Sequence, residues 1–212
     1  MSPDLRRSQE MYRECAPTYD RTVKRAEVTR RAAVEALRLQ PGDVVLDVGC
    51  GTGLSVPLIE ERIGPSGKVI GIEPSPEMLA VARERVEAGG WSNVTLIEAA
   101  AEEAELPEPA DAVLFHFVHD VTRSPQALQN VFRQAKPGAR AAMAGAKRAP
   151  WWALPVTLYI MYISRKYTTT SEGFDRPWSY LERFVPDLQV RPALYHAAYV
   201  AWGTYRPLEG AS

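Results

Sequence analysis

The chain has 212 residues, 46% hydrophobic and 24% charged, with 25 Lys and Arg against 26 Asp and Glu for a formal net charge of -1. That length fits one domain with a core of its own, and the near-neutral charge gives no drive toward nucleic acid or an anionic membrane. Cys15 and Cys50 are too few for a disulfide framework and match no zinc spacing, so no metal site is expected.

In chain order, "MSPDLRRSQEMYREC" is charged and lacks the apolar stretch of a signal peptide, which points to a cytoplasmic location. From Val23 to Gln40 a helix is predicted, with Val23, Ala26, Ala33, Val34 and Leu37 at helical spacing, and Pro41-Gly42 ends it. Val44 to Val48 predicts a strand buried on both faces, Leu54 to Ile63 a helix, Gly64 to Gly67 a turn and Lys68 to Glu73 a second strand. Ser75 caps a helix with Pro76 at its first position, and Met78, Leu79, Ala82 and Val86 form its apolar side. Val94 to Glu98 and Asp111 to Phe117 predict the third and fourth strands. Ser124 and Pro125 repeat the cap before a helix to Ala135, and Pro137-Gly138 turns into a fifth strand, Ala139 to Gly145. Five alternations of strand and helix over about 100 residues argue a parallel α/β sheet. The apolar run Trp151 to Ile163 contains Pro155 and is shorter than the ~20 residues of a spanning helix, so no integral membrane span is expected. A polar stretch, a short helix (Trp178 to Phe184) and two adjacent strand patterns close the chain, and predict a terminal hairpin at the sheet's edge. The expected layout is one domain over 1–212: a helical cap or lid over 1–40, a cofactor-binding core over 41–145, and an acceptor-pocket insert with the hairpin over 146–212.

The most informative stretch is "VVLDVGCGTGLSVPLIEERIG" (Val44 to Gly64). Gly49, Gly51 and Gly53 let the backbone turn sharply and approach a ligand, and the turn opens onto a helix N-terminus. A pyrophosphate fingerprint wants a further glycine where Leu54 stands. Asp47, two residues before the turn, repels a pyrophosphate but suits an ammonium group, whose partner carboxylate can meet the helix N-terminus. Glu73 ends the second strand, where an acidic side chain accepts hydrogen bonds from ribose hydroxyls. An amino-acid end, a ribose and no required phosphate describe S-adenosylmethionine better than NAD.

With "VLDVGCGTG" (Val45 to Gly53), "VIGIEPSPEML" (Val69 to Leu79), "DAVLFHFVHDV" (Asp111 to Val121) and "VFRQAKPGARAAM" (Val131 to Met143), the chain resembles the class I S-adenosylmethionine-dependent methyltransferases. The opening "MYRECAPTYD" looks like the start of small members similar to the ubiquinone/menaquinone-biosynthesis and phospholipid-headgroup methyltransferases. The resemblance implies a Rossmann-like α/β fold: seven strands, mostly parallel, helices on both faces and an antiparallel C-terminal strand. It places Asp47, Gly49, Cys50, Gly51, Thr52 and Gly53 around the methionine moiety, Glu73 on the ribose, and Pro74 and Met78 at the adenine. The family's acidic adenine ligand after the third strand falls on Ala100 here, so Glu102 and the backbone N–H of Ala101 are the remaining candidates. Phe115 and His116 are expected beside the cofactor. Tyr19, with Tyr12, is expected either in a lid over the cofactor or in helix packing.

"HFVHD" puts His116, His119 and Asp120 at the end of the fourth strand, where ligands sit in such sheets. Methyl transfer is an in-line displacement, and a base can take the acceptor's proton. His119 with Asp120 orienting it is the candidate base; capping of the next segment is the alternative. Trp151, Trp152, Tyr159, Met161 and Tyr162 are read as the acceptor pocket, as core or as a dimer surface. Glu172, Asp175 and Arg176 lie in a polar stretch expected near the pocket mouth. The sequence thus predicts methyl transfer to a small, moderately apolar acceptor, such as a lipid headgroup or secondary metabolite, at N, O or C. No nucleic-acid partner is expected, and monomer and homodimer both stay open. A non-catalytic S-adenosylmethionine-binding scaffold and a nicotinamide-dependent oxidoreductase stand as alternatives.

Overall fold

The computed structural model describes Asp20, Val23, residues 26–149 and residues 173–207. Helix α1 (Glu27–Ala36) leads into strand β1 (Val44–Val48), α2 (Val56–Ile63), β2 (Lys68–Ile72), α3 (Pro76–Gly89), β3 (Val94–Ile97) and β4 (Ala110–His116). The short α4 (His119–Thr122), α5 (Pro125–Arg133), β5 (Ala135–Ala146), β6 (Gln189–Ala193) and β7 (Ala198–Thr204) follow. The seven strands form one sheet in the order β3-β2-β1-β4-β5-β7-β6. From β3 through β5 every pairing is parallel, and β7 runs antiparallel between β5 and β6. This is the expected Rossmann-like architecture, with the terminal hairpin at one edge. Among the described residues no helix is long and apolar enough to cross a membrane.

Alternation along the strands builds a core on each face of the sheet. Leu46, Val48, Ile70, Ile72, Val113 and Phe115 face α5, while Val45, Val69, Ala112 and Leu114 face α1 and α2. Every residue of β1 is buried, as its continuous apolar run requires of a central parallel strand. Ser75 and Ser124 cap α3 and α5 as predicted, accepting from the N–H groups of Met78 and Ala127 at 3.3 and 3.2 Å.

The chief departures from the sequence reading are four. Helix α1 ends earlier, at Ala36, and Arg38 takes a left-handed φ of 48°. Helix α2 starts at Val56 because residues 51–55 close as turns, with the Val56 N–H on the Gly53 carbonyl at 3.1 Å. Pro137-Gly138 does not precede β5 but lies within it, as a bulge that slips the register between Ala110↔Ala135 and Ala112↔Arg140. The helix expected over Trp178 to Phe184 is a single 3₁₀ turn, Leu181–Arg183.

Aromatic rings fasten the hairpin side of the molecule to α5. Phe132 stacks on Phe184 with centroids 4.9 Å apart, and also meets Tyr205 at 4.9 Å and Phe115 at 6.1 Å. Phe132→Ala should therefore lower stability by about 3–5 kcal/mol with little change in m-value, as measured by urea unfolding.

Candidate active site

The carboxyl ends of β1, β2 and β4 meet at one rim of the sheet, and the glycine turn after β1 lies across it. Gly49 opens the turn at φ 64°, and a Cβ there would sit 2.4 Å from Val118 Cγ1, so no other residue fits between the turn and the β4–α4 connection. Three of the turn's own N–H groups are engaged. Cys50 donates to the Ile72 carbonyl at 3.0 Å, Gly53 to the Cys50 carbonyl at 2.9 Å, and Gly51 to Glu73 Oε2 at 3.1 Å. Thr52 is buried and donates its hydroxyl to Asp20 Oδ1 at 2.7 Å. Arg85 on α3 bonds the Thr52 carbonyl at 2.8 Å and pairs with Asp20, which ties the residue after Tyr19 to the turn. Met78 is buried, its Cε 3.8 Å from the Cβ position of Gly51.

Two carboxylates are buried beneath this turn. Asp47 is 1% exposed, and its Oδ2 has no hydrogen-bond partner among the described residues. Glu73 follows β2 and accepts from Ser75 N–H at 3.0 Å as well as from Gly51. Burial raises both to a pKa of about 7, against the pull of Arg30 and Ser55 on Asp47 and of the two N–H donors on Glu73. Burial, with Asp47 and Glu73 nearby, likewise pushes the Cys50 thiol well above its ordinary range.

His116 ends β4 on the α1 side. Its Nε2 lies 3.4 Å from Thr29 Oγ1, which donates to the Ala26 carbonyl at 2.7 Å. Burial and the neighbouring Arg30 guanidinium hold its imidazole well below the ordinary histidine value. Phe117 then takes a left-handed φ of 58°, a costly conformation for a phenylalanine. His119 opens α4 with its ring 4.4 Å from that of Phe174, and half-buried Asp120 follows it. Phe115 turns the other way, into the core against Phe132. Glu102 is half-buried in the turn after β3, beside buried Ala101, whose carbonyl accepts from Asn130 at 3.0 Å. Pro74 sits between Glu73 and the α3 cap.

The rim thus gathers Asp47, Gly49, Cys50, Gly51, Thr52, Gly53, Glu73, Met78 and His116, with His119 and Asp120 one turn beyond. Tyr12, Tyr19, Trp151, Trp152, Tyr159, Met161, Tyr162 and Glu172 lie outside the described residues. Arg176 is exposed and pairs with Glu182 at 2.8 Å, and Asp175 with Arg148 at 3.4 Å. Sequence reading missed Arg30, Thr29 and Phe174. Arg30 carried a signal: it fills the open slot in the helical stripe Ala26–Ala33–Val34–Leu37, where a charge on an apolar face needs a reason.

A family model described as a methyltransferase domain matches residues 39–154. The demethylmenaquinone methyltransferase of Listeria welshimeri is 32% identical over 162 residues, 72% of this chain and 69% of its own. A solved S-adenosylmethionine-dependent methyltransferase from Aquifex aeolicus aligns with a TM-score of 0.56 at 21% identity, covering 83% of this chain and 89% of that one. An S-adenosylmethionine-dependent O-methyltransferase from Thermotoga maritima aligns at 0.61 and 16% identity, covering 85% and 66%. The chain belongs to the class I S-adenosylmethionine-dependent methyltransferases. It is an enzyme, its cofactor is S-adenosylmethionine, and the nicotinamide and non-catalytic alternatives give way.

The raised carboxylates fix a sign for pH dependence. Between pH about 4 and about 7 the folded chain holds protons at Asp47 and Glu73 that the unfolded chain has released, so their contribution to stability falls as pH rises. His116, depressed in the fold, works in the opposite sense below its unfolded value near 6.5. A single variant isolates one term: ligand-free Asp47→Asn should gain Tm relative to wild type progressively from pH 5 to about 7 and level off above it, by several degrees at the plateau, in thermal melts.

Proposed function

We propose that this chain transfers the methyl group of S-adenosylmethionine to a small aromatic acceptor of the quinone class. The observation that carries the donor site is Asp47. A carboxylate oxygen buried without a hydrogen is costly, and the donor's ammonium supplies the missing hydrogen and charge. Both Glu73 oxygens already accept one backbone N–H and each keeps a second lone pair, which suits two ribose hydroxyls. Met78 and Pro74 flank the nucleoside beyond Glu73, with Ala101 and Glu102 after β3 for the adenine edge, and His116 walls the pocket as a neutral ring. The donor contributes an electrophilic methyl on a sulfonium centre.

The acceptor class is supported by the Listeria relative, whose name specifies demethylmenaquinone. It narrows the sequence expectation of a lipid headgroup or secondary metabolite to a lipid-like ring compound. His119 lies past His116 at the β4 rim, with Phe174 against its ring. In this reading His119 takes the acceptor's proton as the new bond forms, Asp120 favours the imidazolium, and Phe174 keeps water from the ring.

Two measurements test the reading. With labelled S-adenosylmethionine, a short-chain demethylated naphthoquinol should yield methylated product, and His119→Ala should cut turnover by about 10²–10⁴ while binding of S-adenosylhomocysteine stays nearly unchanged. Methylation of amines or phospholipid headgroups but not the quinol would sink the acceptor class. Calorimetry should show that Glu73→Ala weakens S-adenosylhomocysteine by roughly 1–3 kcal/mol, and an unchanged affinity would remove Glu73 from the ribose.

A further inference from the structure

The one-turn helix α4 carries His119 at its first position and Arg123 just past its end, where the Arg123 N–H closes on the His119 carbonyl at 3.1 Å. Residues four apart lie on the same side of a helix, one turn from each other. Both side chains reach the same stretch of chain, the segment that returns at Gly173. His119 meets the Phe174 ring with centroids 4.4 Å apart. Arg123 meets residues on either side of Phe174. Its guanidinium lies 4.3 Å over the Tyr180 ring, and its Nη1 donates to Ser179 Oγ at 3.3 Å. At Gly173 the approach is closer still: a Cβ there would stand 2.8 Å from Arg123 Cζ and 2.9 Å from its Nε, at a φ of 78° that also favours glycine. A planar guanidinium can touch all three residues at once, as a compact ammonium cannot.

The segment does not need Arg123 to stay on the sheet. Just past β5 the Arg148 N–H bonds the Phe174 carbonyl at 2.8 Å, and Trp178 packs on Tyr199 of β7 with ring centroids 4.9 Å apart. These anchors leave unset the separation between the segment and α4. That separation decides whether the Phe174 ring covers His119, which is 9% exposed with the ring in place.

We propose that Arg123 is a positioning residue: by gripping Gly173, Ser179 and Tyr180 it fixes the Phe174 ring against His119, which orients the imidazole and keeps water from it. The catalytic meaning of this clamp rests on the reading of His119 as the base. The clamp itself rests on the contacts alone.

The clamp can be tested without any acceptor. The chain has three histidines, and carbethoxylation of the ligand-free full chain by diethyl pyrocarbonate, mapped by mass spectrometry, gives each a rate. In wild type the exposed His196 should react fast and His119 slowly. Arg123→Met should strip His119 of its protection and leave His116 and His196 at their wild-type rates. Should Arg123→Met fail to fold, Arg123→Lys, which keeps the charge but not the plane, should uncover His119 in part. A His119 as protected in the variant as in wild type overturns the assignment, and so does a faster reaction at all three histidines, the mark of a loosened fold.

Turnover is then measured with labelled S-adenosylmethionine and a short-chain demethylated naphthoquinol. Arg123→Met should lower kcat by about 10–100-fold, the cost of a reacting group displaced by about an ångström, while KM and S-adenosylhomocysteine affinity stay within about twofold. In a Phe174→Ala background the same change should add nothing, because Arg123 acts through that ring. Additive losses overturn the assignment. A His119→Ala enzyme that runs at the wild-type rate overturns the base reading beneath it, and the modification rates still decide the clamp.

Discussion

Two carboxylates are buried beneath one glycine turn, and much of the rim answers to that constraint. Asp47 lies near the end of β1 and Glu73 just after β2, neighbouring parallel strands whose register pairs Asp47 with Gly71 and Val48 with Ile72. Each is raised to about 7 by burial. Glu73 is tolerable because two backbone donors face it, and one of them, Gly51, is available only because the turn folds back over β2. Asp47 is tolerable through Ser55 and the field of Arg30, and it stays incompletely satisfied.

The surrounding elements read as means of holding this arrangement still. Asp20, Thr52 and Arg85 tie the start of the chain to the turn and to α3. The left-handed Phe117 lets two histidines three residues apart serve different neighbourhoods: His116 faces α1, and His119 faces the segment returning at Phe174.

Much of this was legible in the sequence because the relevant signals are local. The alternation of strands and helices, the serine caps and the Asp47–glycine–Glu73 spacing each depend on a few neighbouring residues, and the sheet reproduces them. Pro137-Gly138 misled because a proline–glycine pair reads as a turn, whereas here the break is absorbed as a bulge inside a twelve-residue strand. The start of α2 was misplaced because Leu54 and Ser55 favour helix locally but are claimed by the turn. Arg30 and Phe174 went unnoticed for a different reason: their importance comes from partners 17 and 55 positions away, at Asp47 and His119, and no window along the chain joins them. Phe115 was placed beside the cofactor from its position at a strand end, but strand alternation turns its ring into the core.

The chain leaves β5 at Lys147 and Arg148 and comes back at Gly173, and these two stems are clasped: Arg148 N–H bonds the Phe174 carbonyl at 2.8 Å, with Lys147 held on Ala197 at 3.0 Å. The Arg123 guanidinium lies over Tyr180 at 4.3 Å and bonds Ser179 at 3.3 Å, which secures the returning stem. The β5 stem, the hairpin and the segment carrying Phe174 are thereby held as one unit, which keeps Phe174 in place against His119.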